Sequence, residues 1–381
     1  MKILSLTYEY PPIGGGGGVV AKALNEMLVA GGDRVEVVTS SMPGLADYEL
    51  LNGVGVYRTP CWRRHRHYTT FLELATTLMP AYQRAIEVIN KNRPDVIHAH
   101  FALPSGVVAY YLWKRFGIPY VLTAHGSDIP GYNPDRFGIL HRLLKPMWSK
   151  VMRHAADVTS PSEFLAKLIR QHIDIPIRVV PNGYNPDARI KHQKRKLVLV
   201  VARLFPRKGV QHFIQSIANL RSDWEYVVAG DGPYLETLQA QARAAHVPVR
   251  FTGFIDKQTL GALYEEASIL VFPSIRENFP MVLLEGMDAG CAVITTDAEG
   301  CAEVVGNAGI VIEKGSAPHI RDALVELMES PARRGELAAR SRERVELFLW
   351  SRIADQYRDV FRHAMRPVAS SSTATVRIIP R

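Results

Sequence analysis

Ser274-Ile275-Arg276-Glu277-Asn278-Phe279-Pro280-Met281-Val282-Leu283-Leu284-Glu285 follows the short apolar run 269–272, which reads as a buried strand. Pro280 suits the first turn of a helix, where its missing N–H would have no intrahelical partner. The apolar run 281–287 then carries Glu285 about one and a half turns into that helix, while Glu277 stays outside its N-terminus. Free N–H groups and the helix dipole draw anions to such an end. Two carboxylates there would repel a phosphate, so they need another task. An ionised carboxylate only accepts hydrogen bonds, which suits the hydroxyls of a sugar and of a ribose.

The same strand–loop–helix grammar extends in both directions. Upstream, β-type runs at 2–8, 34–39, 94–100, 119–125, 158–160 and 178–180 alternate with helical stretches near 20–30 and 105–116. Their strands are nearly all apolar, the pattern of a doubly wound parallel sheet. After a polar, basic stretch the pattern restarts at 197–202, 225–230, 249–254, 269–272, 292–296 and 309–312. The expectation is an α/β protein of two Rossmann-like domains facing a cleft. They occupy 1–185 and 197–345, joined by a linker at 186–196. A C-terminal helix at 346–366, with Trp350 and Phe361 as apolar anchors, can pack back on the first domain, and 367–381 forms a small polar tail. Ligands of open α/β sheets bind beyond the carboxyl ends of the strands, where these motifs lie.

The bulk numbers suit this reading. A chain of 381 residues with 47% apolar and 22% charged residues can bury two cores. No apolar run approaches the roughly 20 residues of a membrane span. The N-terminus lacks the features of a signal peptide. Cys61, Cys291 and Cys301 form no Cys-x-x-Cys pair, which argues against a disulfide scaffold or zinc site and for a cytoplasmic protein. The net charge is +9, and residues 1–185 carry 20 Lys and Arg against 14 Asp and Glu. Such an excess suits an anionic partner; no helix-turn-helix, RNP or zinc-finger pattern supports nucleic acid.

Gly14 to Gly18 follow the first strand and precede a helix, so their amides can approach a ligand closely. A dinucleotide fingerprint would need G-x-G-x-x-G and an acidic residue closing the second strand. Val19, Val20 and Thr39-Ser40 break both requirements. Arg203 and Lys208 follow the first strand of the second half. Fixed cations there would stabilise charge developing on a leaving diphosphate, Arg as a fork and Lys as a point charge. No Asp-x-Asp triad suited to a divalent metal lies nearby. His98 and His100 share one face of a strand with no evident third ligand, and read as cleft-wall or core histidines.

Glu277 and Glu285, spaced Glu-x7-Glu, resemble the donor-site motif of retaining glycosyltransferases of the GT-B fold, especially the GT4 family. Pro11-Pro12-Ile13 with the glycine run, His125-Gly126-Ser127-Asp128, Val180-Pro181-Asn182-Gly183, Arg203 with Lys208-Gly209, and Gly230-Asp231-Gly232-Pro233 follow in the family's order, covering the chain to about Val305. The resemblance implies an acceptor domain, then a nucleotide-sugar donor domain, and retention of configuration without a metal or other cofactor. It assigns catalysis to His125, Glu277, Arg203 and Lys208. Donor binding falls to Gly15, Gly16, Arg203, Lys208, Glu277, Asn278, Phe279, Leu283 and Glu285. In that assignment Glu285 accepts from the ribose and Glu277 from the transferred sugar; Asp128 reads simply as orienting the turn after His125. Many relatives carry Glu-Gly-Phe-Gly where this chain has Glu277-Asn278-Phe279-Pro280, which leaves the donor sugar open, as it leaves UDP against GDP.

The acceptor is open too. Trp62, Arg63, Arg64, Arg66 and Tyr68, running into an apolar stretch, suit an anionic membrane surface, and equally a solvated loop before a packed helix. The first pattern implies a lipid-linked or polysaccharide precursor as acceptor, used at the inner face of the plasma membrane. The segment from His98 to Pro104, with His125 to Asp128, is similar instead to the N-acetylglucosaminyl malate synthases, which act on a small acid. A UDP-sugar 2-epimerase and a non-catalytic nucleotide-binding module are further readings of the same fold.

Overall fold

The computed structural model describes residues 1–66, 69–132, 134–186 and 192–366. In the first half β1 (Lys2–Leu6), β2 (Arg34–Ser40), β3 (Tyr48–Leu51), β4 (Val54–Thr59), β5 (Val96–His100), β6 (Tyr120–Thr123), β7 (Asp157–Ser160) and β8 (Arg178–Val179) form one sheet. Their order is β3-β4-β2-β1-β5-β6-β7-β8, parallel except for the edge pair β3–β4. Helices α1 (Gly16–Ala30), α2 (Phe71–Lys91), α3 (Ser105–Phe116), α4 (Pro134–His154) and α5 (Glu163–Arg170) connect the strands. Every residue of β5 and β6 is buried, as expected for parallel strands covered on both faces.

The second sheet repeats the plan with β9 (Arg195–Val201), β10 (Glu225–Ala229), β11 (Val249–Gly253), β12 (Ala267–Phe272), β13 (Ala292–Thr296) and β14 (Gly309–Ile312). The order is β11-β10-β9-β12-β13-β14, all parallel. Around it lie α6 (Val210–Ile217), α7 (Leu235–Ala244), α8 (Lys257–Glu266), α9 (Met281–Asp288), α10 (Glu299–Val305), α11 (Ala317–Glu329) and α12 (Pro331–Val345). Strand order reverses between β1 and β5 in one sheet and between β9 and β12 in the other. Loops diverge at these two places and leave a crevice, which is where such sheets take ligands.

The last helix, α13 (Trp350–Ala364), returns to the first domain. Its Trp350, Ile353, Tyr357 and Phe361 enter the core built by Ile3, Tyr10, Leu24 and Val35. Burial of such side chains is worth roughly 1.5–3 kcal/mol each. Arg358 adds an ion pair to Asp33 at 2.7 Å. Among the described residues no helix is long and apolar enough to cross a membrane.

Several local expectations shift. Strand β1 ends at Leu6, and α1 begins at Gly16, so it absorbs three glycines read as loop. Pro280 caps α9 from outside instead of occupying its first turn. Lys194, Arg195 and Lys196, read within the basic connecting stretch, pack on the second domain. Arg195 and Lys196 open β9, and the Lys194 ammonium donates to the carbonyls of Tyr264 and Ala267. The hairpin β3–β4 has no counterpart in the sequence reading, whereas α2 is the helix expected after the basic, aromatic segment.

Candidate active site

Both reversal points present their loops to one cleft. On the second-domain side, the loop after β9 is pressed against the loop after β12. A Cβ on Gly209 would lie 1.8 Å from the Pro273 carbonyl oxygen, and its φ of +73° is unfavourable for other residues. This contact brings Lys208 to Glu277, which form an ion pair while Ser274 Oγ donates to the same carboxylate oxygen at 2.9 Å. Both side chains are only about 15% exposed, so the pair is partly shielded and stronger than one in open water. One turn into α9, the Glu285 carboxylate accepts from the Tyr264 hydroxyl at 2.7 Å. Arg203 is exposed, and its guanidinium makes no hydrogen bond or ion pair among the described residues. A cation, an ion pair and a second carboxylate therefore surround the end of the β9–β12 crevice.

The opposite side is built differently. Asp128 is buried, and its carboxylate accepts from the amides of Ala102 at 2.7 Å, Gly126 at 3.0 Å and His125 at 3.1 Å. It thereby ties the loop after β5 to the loop after β6. Burial nevertheless raises its carboxyl above the ordinary value, with those amides opposing. His125 shares a hydrogen bond with His100 at 3.1 Å, and burial lowers its pKa to about 3. Burial also lowers His98 to about 3 and His100 well below its ordinary value. All three imidazoles are neutral at pH 7. The Nε2 of His98 bonds Thr123 at 2.7 Å, which in turn reaches the Tyr357 hydroxyl of α13 at 3.3 Å. Two buried polar sets, His125–His100 and His98–Thr123–Tyr357, thus lie between the cleft and the returning helix, with the His98 and His100 rings 4.1 Å apart.

Two residues on this side escaped the sequence reading. Glu9 turns its carboxylate into the glycine loop, accepting from Gly15 at 2.9 Å and Gly18 at 3.0 Å. Phe101 holds a positive φ of +73° and packs its ring between Tyr8 and His125, at 4.7 and 4.5 Å. A bulky residue in that conformation costs about 1–3 kcal/mol and clusters at functional sites. Nothing in the residues around Phe101 signals such a backbone.

Asn278 joins the two sides. Its Oδ1 accepts from Ser162 Oγ at 2.7 Å and its Nδ2 donates to the His125 carbonyl at 3.4 Å. Glu303 of α10 adds a second span, accepting from the Glu163 and Phe164 amides that open α5 at 2.7 and 2.8 Å.

Other expected site residues fall differently. Gly15 has its amide committed to Glu9, whereas Gly16 faces open space. Leu283 is buried in the second-domain core, with its amide bonded to the Pro280 carbonyl at 3.2 Å, so its side chain offers a ligand nothing. Phe279 packs edge-on against Phe348. Arg63 cannot serve a membrane surface, because its guanidinium is buried and donates to the carbonyls of Tyr8, His65 and Arg66. Trp62 stays 52% exposed with the Arg64 guanidinium 4.7 Å above its ring, and Arg66 is exposed; Tyr68 lies outside the described residues. Among the described residues no three His, Cys, Asp or Glu side chains converge to hold a metal ion.

Comparison with known proteins matches the two halves separately. Residues 14–188 match the family described as Glycosyltransferase Family 4, and residues 185–344 match Glycosyl transferases group 1. An uncharacterised glycosyltransferase of Methanocaldococcus jannaschii is 29% identical, over 96% of this chain and 99% of its own. The N-acetyl-alpha-D-glucosaminyl L-malate synthase of Bacillus anthracis is 25% identical, over 94% and 96%. Among solved structures, the sucrose-phosphate synthase of Thermosynechococcus elongatus superposes with a TM-score of 0.79 at 22% identity, over 95% of this chain and 98% of its own.

Proposed function

Because the chain is a glycosyltransferase of the GT4 family with the GT-B fold, we propose that it moves a sugar from a nucleoside diphosphate donor to an acceptor held mainly by the first domain. The reaction would retain the anomeric configuration. The observation that carries this reading is the Lys208–Glu277 pair at the β9–β12 crevice, with the unpaired Arg203 beside it. A diphosphate arriving there competes with Glu277 for the Lys208 ammonium. Arg203 and Lys208 then hold the phosphate oxygens, and the released Glu277 carboxylate accepts from hydroxyls of the sugar. Glu285, at the end of the same crevice, accepts from the ribose.

As the bond from the anomeric carbon to the phosphate oxygen breaks, its electron pair stays on the diphosphate, where the two cations stabilise it. The acceptor oxygen attacks from the same face and gives its proton to a leaving phosphate oxygen. Neutral His125 offers the sugar a hydrogen bond and removes no proton. Closing the cleft excludes water, which would otherwise hydrolyse the donor.

The acceptor we favour sits on an anionic membrane surface, as a lipid-linked or polysaccharide precursor would. Trp62, Arg64 and Arg66 support it, together with Leu72 and Met79, which α2 leaves 65% and 63% exposed. Similarity to the malate synthase supports a second reading, a small acid as acceptor. Co-sedimentation with anionic vesicles decides between them; absence of binding, alongside transfer to a soluble acid, would overturn the first. For the donor site, UDP, GDP and their sugar conjugates should raise the melting temperature of the native enzyme and lose that effect in Lys208→Ala. A folded protein that responds to no nucleotide would refute the donor assignment.

A further inference from the structure

We propose that Glu9 is a positioning residue, one that divides the glycine loop into a part satisfied internally and one point, Gly16, left open for close approach of the donor. This rests on the donor reading above.

The five glycines are not equivalent. A Cβ on Gly14 would lie 2.3 Å from the Cβ of Glu9, and its φ is +107°. One on Gly17 would lie 2.3 Å from the Phe101 ring, and one on Gly18 2.9 Å from the Glu9 carbonyl oxygen. Contacts below 3.0 Å leave no room for any larger residue, so these three glycines are required by packing around Glu9 and Phe101. Gly15 meets the Glu9 carboxylate at an ordinary 3.8 Å. Only Gly16 would meet nothing within 4 Å. Packing does not explain a glycine there; the approach of a ligand does.

The amides divide in the same way. Helix α1 is 15 residues long, and its opening N–H groups have no intrahelical acceptor. Glu9 takes those of Gly15 and Gly18, one on each carboxylate oxygen. Gly16 and Gly17 lie between them and make no amide hydrogen bond among the described residues. Glu9 therefore cannot act as the ligand of the whole helix end. It anchors both flanks and leaves the two amides between them without a partner among the described residues, one of them at the unobstructed Gly16.

A buried carboxylate beside a diphosphate would repel it if its charge were uncompensated. Arg63, buried on the same side, offsets Glu9 without touching it, and lowers a carboxyl that burial otherwise raises. The backbone ties the two together, because Arg63 Nη2 donates to the Arg66 carbonyl at 3.2 Å and that oxygen also accepts the Gly14 amide at 2.7 Å.

The test is a double-mutant cycle on the full-length enzyme, read as the Kd of UDP, GDP and their sugar conjugates, with unliganded melting temperatures measured in parallel. Gly16→Ala should weaken donor binding about tenfold while leaving the melting temperature unchanged. Glu9→Gln keeps the volume but can accept from only one of the two amides, and should weaken binding by a similar factor. In the double variant the two losses should overlap instead of multiplying, and Glu9→Asp should recover part of the affinity. Multiplicative losses, or wild-type binding in Gly16→Ala, would overturn the proposal. Lys208→Ala separates the two readings. If it abolishes binding that Gly16→Ala leaves intact, the donor site stands and the role of Glu9 falls. If the wild-type enzyme binds none of these nucleotides, both fall.

Discussion

The two walls of the cleft solve opposite problems. The second-domain wall keeps its charges within reach of a ligand: Arg203 exposed, Lys208 and Glu277 paired with each other, and Glu285 accepting from the Tyr264 hydroxyl. The first-domain wall has spent its carboxylates internally, Glu9 on two glycine amides and Asp128 on three backbone amides, and burial keeps its three histidines neutral. The first arrangement binds by exchanging partners. The second is a fixed surface of neutral imidazole, glycine and backbone, suited to a sugar that must be placed without being charged. Mobile charge on one side and rigid neutrality on the other fit a reaction in which charge develops only on the diphosphate.

The largest expected effect breaks the exchanging wall. Lys208→Ala removes the cation facing the leaving group and should lower the transfer rate by about 10²–10³. Its effect on unliganded stability should be small, because Glu277 keeps Ser274 and regains water. Rates and melting temperatures measured on the same preparation check this. A variant that loses stability and rate in proportion would show that the pair serves the fold, as the rigid wall does.

A smaller effect probes the rigid wall through pH. Burial holds His98 and His125 at about 3 in the folded chain against an ordinary value of 6.5, and holds His100 well below that value too. Below 6.5 the unfolded chain binds protons that the folded chain refuses. Stability is therefore complete above pH 6.5 and falls with acid, by about 2 kcal/mol for one such imidazole between pH 6.5 and 5. Glu9 and Asp128, raised by burial, act in the opposite sense. The clean measure is thus a difference: denaturant unfolding of His98→Gln should show an acid loss smaller by about 2 kcal/mol. Identical slopes would mean that the folded wall already admits a proton.

These walls were not equally legible in the sequence. Glu277 and Glu285, with Arg203 and Lys208, announce themselves by spacing, because charges that stay near solvent follow strand ends in a regular order. Glu9 and Phe101 act through partners that only the fold brings near, and a positive φ at Phe101 has no sequence mark. The same holds for Arg63, whose basic, aromatic neighbours suggest a surface while its guanidinium turns inward onto backbone carbonyls. The parallel strands were readable from continuous apolar runs. The β3–β4 hairpin was not, since its edge strand β3 alternates exposed and half-buried positions. Helix α2 did carry a readable signal, the Thr70 and Glu73 capping box.

The smallest effect concerns Asn278, one of the residues that touch both walls. Asn278→Ala removes one bond to Ser162 and one to the His125 carbonyl, both only partly buried. The expected loss of stability is about 1 kcal/mol. Ser162→Ala should cost more, because that hydroxyl also accepts the Leu165 amide at 3.2 Å and caps α5. Both variants lose the Ser162–Asn278 bond, so their difference sets the cap made within the first domain against the Asn278–His125 bond made across the cleft. A nucleotide that closes the cleft should widen the Asn278→Ala deficit in bound enzyme and leave the capping part of the Ser162→Ala deficit unchanged, as melting curves with and without ligand will reveal. If ligand leaves both deficits unchanged, Asn278 is no part of closure and the two walls meet independently of it.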